Sequence, residues 1–176
     1  MKTKNLLLGL LVLVLLVLLY FIFTYEEKTF VEYKIGDKNI VVNRTNKSYL
    51  DTIVHVGLDY LKIEGQTVIV RPQNGQRDLG DDFSSEAFII NQGNQSLVMI
   101  KERLNRSNAI EILAHELIHL QQYKDKRLVV LDGGRVEWNG DTLVVEQIPY
   151  DERPWEVEAF LYGKMLEQDI KKILYE

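Results

Sequence analysis

Cysteine is absent from all 176 residues of this chain. Disulfides are therefore excluded, and with them thiolate metal ligands, cysteine nucleophiles and lipid attachment through cysteine. Histidine is scarce: there are three, at positions 55, 115 and 119. No run of basic residues occurs either. The net charge is -5, and it becomes -7 when Lys2 and Lys4 at the extreme N-terminus are set aside. An acidic body without a basic stripe argues against nucleic acid and anionic lipid as partners. No internal repeat or low-complexity segment is visible beyond one leucine-rich run.

That run, "NLLLGLLVLVLLVLLYFIF" at residues 5–23, carries no charge. As a helix it would be long enough to cross roughly 30 Å of hydrocarbon. Lys2 and Lys4 precede it, and Glu26 and Glu27 follow. The asymmetry favours a cytoplasmic N-terminus and a body on the extracytoplasmic side. A cleaved signal peptide would need small residues at its end, and "YFIFTYEEK" offers only Thr24 among bulky neighbours. The expectation is a single-pass membrane protein, with an uncleaved anchor over residues 1–25 and one domain over 26–176.

Within that domain the periodicity alternates between strand and helix. "KTFVEYKIGDKNIVVNR" reads as two short strands around Gly36-Asp37. "SYLDTIVHVGLDYLK" has helical spacing, with Ser48 as its cap and His55 on a polar, solvated face. "QTVIVRP" is a strand, and the Gly-, Asn- and Asp-rich "QNGQRDLGDDFSSE" is an extended loop. "AFIINQ" and "SLVMIKE" are two further strands. A helix follows over about 109–123, capped by Asn108 with Glu111, or by Ser107, and apolar almost all round. Then come a three-stranded meander, with Asn139-Gly140 in one turn, and a closing helix that starts near Pro154. The fold class is α+β: a transmembrane helix, then a small domain of short strands, a buried helix, a meander and a C-terminal helix.

The chemistry concentrates in "AHELIHLQQ", residues 114–122. His115 and His119, four apart on a helix, share a face and can reach one ion. Glu116, one step round, misses the metal but can approach a water held there. H-E-x-x-H therefore suits hydrolysis by a Zn2+ ion, with Glu116 as the general base. On a mostly buried helix, two histidines and a glutamate would be costly without partners.

A third ligand is needed, and no histidine follows His119. The extended motif with glycine and a third histidine fails, because those positions hold Gln122 and Asp125. A glutamate from the last helix remains, with Glu156 and Glu158 both present in "PWEVEAF". Glu158 falls in an apolar stripe with Trp155, Ala159, Tyr162, Met165, Leu166, Ile170 and Ile173, whereas Glu156 shares its side with Phe160, Gly163 and Glu167. A carboxylate inside a core-facing stripe needs a cation. The stripe selects Glu158 as the metal ligand and leaves Glu156 to orient a histidine.

His115, Glu116, His119 and then Glu158-Ala159 resemble the signature of the gluzincin, or thermolysin-like, branch of zinc metallopeptidases. The resemblance implies a zincin-like domain of minimal size, with one zinc ion and a peptide or protein substrate. It also implies that the strand Leu97–Ile100 is the sheet edge on which substrate backbone is laid. The oxyanion-steadying residue of the family has no motif here; Tyr162, Tyr150 and Arg153 lie in suitable regions. The rival reading is a membrane-tethered adaptor or sensor that keeps zinc for stability alone.

Overall fold

A computed structural model describes residues 32–33, 38–73 and 86–175 of the chain. The chain divides between Phe30 and Val31, and every described residue belongs to the second unit. Five strands form one mixed sheet: β1 (Glu32–Tyr33), β2 (Ile40–Asn43), β3 (Thr67–Pro72), β4 (Ala87–Gln92) and β5 (Gln95–Ile100). Their order is β1-β2-β3-β5-β4. The pairs β2/β3 and β3/β5 are parallel, while the two outer pairs are antiparallel. A parallel pair needs a crossover, and helix α1 (Tyr49–Tyr60) supplies it between β2 and β3.

Alternation decides which face of the sheet is buried. Val68 and Val70 of β3, and Val98 and Ile100 of β5, point inward. Register sets Val70 beside Val98, and Val98 beside Ile89 of β4. Three helices share the resulting core. Leu50, Ile53, Val54 and Leu58 come from α1. Helix α2 (Arg106–Lys124) adds Ile110, Leu113, Leu117 and Ile118, and helix α3 (Pro154–Tyr175) adds Ala159, Leu166 and Ile170. A second, smaller cluster of Leu128, Val136 and Trp155 lies under the meander β6 (Leu128–Leu131), β7 (Arg135–Trp138) and β8 (Asp141–Val144). Asn139 and Gly140 both take positive φ in the β7–β8 turn, as a tight hairpin of this type requires.

Several expectations are corrected. The anchor over residues 1–25, the turn at Gly36-Asp37 and most of the loop at 73–86 lie outside the described residues. Among the described residues no helix is long and apolar enough to cross a membrane. The two longest, α2 and α3, carry charged side chains along their length. The described residues thus form an α+β body of three α-helices and two sheets, and the transmembrane helix with its single-pass placement is withdrawn. His55 does not face solvent: it is 3% exposed, four residues from the equally buried Asp51 on α1. Helix α2 starts earlier than its apolar pattern suggests. Asn105 holds extended backbone at the N-cap and accepts the Asn108 N–H at 2.9 Å, so Ser107 and Asn108 lie inside the helix.

Two glycines let the helices approach closely. A Cβ at Gly57 would collide with the Leu117 side chain, which holds α1 to α2. A Cβ at Gly163 of α3 would stand 3.2 Å from His115 Cα and 3.3 Å from His115 N. Backbone cannot swing aside as a side chain can, so Gly163→Ala should push α3 away from α2. The expected cost is about 1–3 kcal/mol of stability, to be read as a lower Tm in thermal unfolding of the metal-free protein. An unchanged Tm would mean that the helix pair relaxes freely.

Candidate metal centre

The helical repeat of α2 stacks His115 and His119 on the side that faces α3. Their rings meet edge-on, with centroids 4.7 Å apart and planes at 86°. The two Nε2 atoms are 3.1 Å apart. Glu156, in the first turn of α3, places Oε2 3.3 Å from each of them. His115, His119 and Glu156 lie close enough together to hold a metal ion.

Two features of the site bear on whether a metal fits. A tetrahedral ion with bonds of roughly 2.0–2.1 Å has ligand–ligand edges of roughly 3.3–3.4 Å. The observed triangle of 3.1, 3.3 and 3.3 Å is close to one face of that tetrahedron. Moreover, Glu156 Oε2 is buried and no donor meets it in hydrogen-bonding geometry. A buried, ionised oxygen without a donor needs a cation. Burial works against the Glu156 charge, yet contact with the two imidazoles and the Tyr150 hydroxyl outweighs it and holds the carboxyl well below the ordinary range. Burial likewise opposes charge on His119, but Glu156 outweighs it and raises the ring's pKa.

Glu116 sits beside this triangle, 7% exposed, and the backbone of Ile89 in β4 favours its charge. Burial pushes its pKa up, against the pull of His119 and His115. Two cavities flank the cluster, and His115, Glu116, Tyr150 and Ala87 line both. One, of about 280 Å³, runs between α2 and α3 over Ile112, Phe160 and Gly163. The other, of about 360 Å³, runs toward the meander past Phe88, Tyr123, Val130 and Trp155. Burial pushes the Tyr123 hydroxyl up to about 12. Burial and Glu156 both raise the Tyr150 hydroxyl.

The acid that lies with the two histidines is Glu156 and not Glu158. Arg127 grips Glu158 with two 2.7 Å hydrogen bonds, and Gln122 Nε2 reaches it at 3.3 Å. The stripe that favoured Glu158 lies only partly on the buried face: its Trp155, Ala159, Leu166 and Ile170 are buried, but not its other members. Tyr162, Met165 and Ile173 are about half exposed, whereas Glu156, Ala159, Gly163, Leu166 and Ile170 face inward. The small residues Ala159 and Gly163 mark the seam, and Glu156 lies one turn before it. The substrate-edge expectation shifts as well. Strand β5 is interior, between β3 and β4, so Leu97–Ile100 offers no free edge; β4 is the last strand and lines the cleft. Of the residues suggested for oxyanion support, Tyr150 stands at the cluster and Arg153 lines the second cavity. Sequence reasoning missed Gln122, which is fully buried and sets its Oε1 2.9 Å from His119 Nδ1.

No protein-family model, curated protein or solved structure matches this chain.

Metal stoichiometry separates the two acids. Glu156→Ala should abolish binding of a divalent ion by the full chain, while Glu158→Ala should retain one ion per chain. The reverse result would restore Glu158 as the ligand.

The Arg127–Glu158 pair has its own pH signature. Hydrogen bonds from Arg127 chiefly hold Glu158 below its usual 4.5, against partial burial. A depressed carboxylate stabilises the folded state above its unfolded pKa, and that contribution is lost as pH falls through the folded value. The Tm gap between the unsubstituted protein and Glu158→Gln should be full above about pH 6 and should close below the ordinary carboxylate range. A gap independent of pH would show that the ion pair contributes nothing.

Proposed function

We propose that this chain is a zinc-dependent hydrolase that cleaves peptide bonds. The observation that carries the reading is the near-tetrahedral spacing of His115 Nε2, His119 Nε2 and Glu156 Oε2 beside the buried Glu116. Three nitrogen and oxygen donors without a thiolate suit zinc in a catalytic setting. A purely structural site would usually add a fourth protein ligand, and the cluster among the described residues has three. All three candidate ligands line the cavity that runs toward the meander, which favours catalysis over a metal kept for stability.

A bound zinc would supply Lewis acidity, lowering the pKa of a water toward neutrality and polarising a carbonyl. The chain's own residues account for the proton and for the substrate. Glu116 takes the proton of the attacking water and passes it to the leaving amine, as a carboxylate between the two cavities can. Glu156 remains ionised, its charge favoured by the two imidazoles and the Tyr150 hydroxyl. Strand β4, at the end of the described sheet, lines the cleft beside Glu116. An outermost strand can bind extended peptide through backbone groups, which supports a peptide or protein substrate. The resemblance to gluzincins supports the same reading through His115, Glu116 and His119. It changes in one respect, since the glutamate of the last helix becomes Glu156, followed by Val157 and not by alanine.

A cleavage assay on a peptide library, with and without chelator, tests this. Cleavage by the full chain should vanish with chelator and return with zinc. Glu116→Gln should keep one zinc per chain and lose at least about 10²-fold in kcat. An active Glu116→Gln protein would remove the general-base role, and chelator-resistant cleavage would remove the metal.

A further inference from the structure

We infer that Arg127, Glu158 and Gln122 form a relay that fixes the tautomer of His119 and so aims its Nε2 at the metal position. None of the three touches that position. This rests on the zinc reading above, but it has a readout of its own.

The argument follows the hydrogen bonds inward from Arg127. Its guanidinium donates to both oxygens of Glu158 at 2.7 Å, and its face lies over the Trp138 ring, 5.5 Å from the centroid. The flanking backbone is fixed as well. Arg127 N–H donates to Gln122 carbonyl, and Asn139 N–H donates to Arg127 carbonyl, so the cation is anchored to helix and meander together. Glu158, held in this fork, accepts from Gln122 Nε2 at 3.3 Å, while Trp155 carbonyl accepts from the same nitrogen at 3.0 Å. Both partners are pure acceptors, so the amide nitrogen of Gln122 must face them. Its oxygen then faces His119 Nδ1 at 2.9 Å. An amide oxygen can only accept, so Nδ1 carries the proton. In the neutral ring Nε2 is left with a free lone pair, aimed at the point where Glu156 and His115 converge.

The chain has placed a fully buried glutamine here, and its orientation would be ambiguous without Glu158 and Trp155 to receive its nitrogen. Released from the relay, His119 could take the Nε2–H form that a free imidazole prefers, which blocks the metal-facing nitrogen. His115 has no such support. Its Nδ1 is buried without a hydrogen-bond partner among the described residues, and packing holds its ring, with Phe160 4.7 Å away. The relay therefore acts on one ligand only.

Long-range ¹⁵N–¹H spectra of the metal-free full chain, at a pH high enough to neutralise the ring, report the tautomer directly. The unsubstituted protein should show His119 as Nδ1–H. Gln122→Leu should show Nε2–H or a mixture, and should weaken zinc affinity about 10–100-fold in competition with a chromophoric chelator. Glu158→Gln and Arg127→Met, both at partly exposed positions, should shift tautomer and affinity the same way by less, which covers the case that Gln122→Leu does not fold. Glu158→Gln should add no further loss of affinity in the Gln122→Leu background. A merely structural role would lower the metal-free Tm and leave tautomer and affinity alone, and that result overturns the relay. So does an Nε2–H His119 in the unsubstituted protein. Failure of that protein to bind zinc would sink the metal reading, while the metal-free tautomer would still decide the relay.

Discussion

Close contact between α2 and α3 is the constraint on which the site depends. Glu156 can meet two imidazoles only because Ala159 and Gly163 let its helix lie almost on the His115 backbone. Burial there removes water from three groups at once: Glu116, His119 and Glu156 are each less than a tenth exposed. Isolating such charges costs several kcal/mol per ion unless each finds a partner. Within the cluster the partners are incomplete. Glu156 Oε2 accepts no well-formed hydrogen bond, and His119, with its proton on Nδ1, directs a lone pair at the same point. Converging acceptors repel one another, and a proton shared between two rings is a weaker remedy than a divalent ion. The seam therefore creates an electrostatic deficit that a metal is suited to fill.

The rest of the fold is arranged around that deficit from two sides. On one, the sheet brings β4 alongside α2, where the Ile89 backbone favours the charge of Glu116. On the other, the meander closes over Trp155 and Leu128 in a small core of its own and presents Arg127 to Glu158. The larger core under the sheet holds α2 rigidly through Leu113, Leu117 and Ile118, which fixes the histidines in direction as well as in place. Packing and hydrogen bonding thus divide the work. The helix interior sets where the imidazoles stand, and the polar network beyond it sets which nitrogen of His119 is available.

Much of this was legible because it is local. A histidine pair four apart on a helix must share a face, and the Asn139-Gly140 turn and Pro154 mark a hairpin and a helix start through backbone geometry alone. What was not legible required knowing which face of the last helix meets another helix. Apolar spacing chose the stripe through Tyr162, Met165 and Ile173, but those side chains are about half exposed. The packing face is marked by small residues instead, since close approach of two helices needs the absence of a side chain more than the presence of an apolar one. Reading Ala159 and Gly163 as the seam would have selected Glu156. His55 misled for a related reason: its polar neighbours placed it on the outer side of α1 by pattern, yet α1 is a crossover packed on more than one side, and Asp51 one turn away is buried with it.

The exchange of roles between Glu156 and Glu158 has a physical logic. Two carboxylates two residues apart on a helix point in different directions, so one cation cannot serve both. Glu158 is the more exposed of the pair and takes an arginine, whose planar fork matches a carboxylate and tolerates partial solvation. Glu156 is enclosed, and no long cationic side chain reaches its inner oxygen among the described residues. A compact ion coordinated by neutral imidazoles can enter such a space where a guanidinium cannot. Arginine placed at Glu158 also keeps a permanent cation one amide away from the site without competing for it, so the same charge that neutralises the outer carboxylate orients the inner histidine.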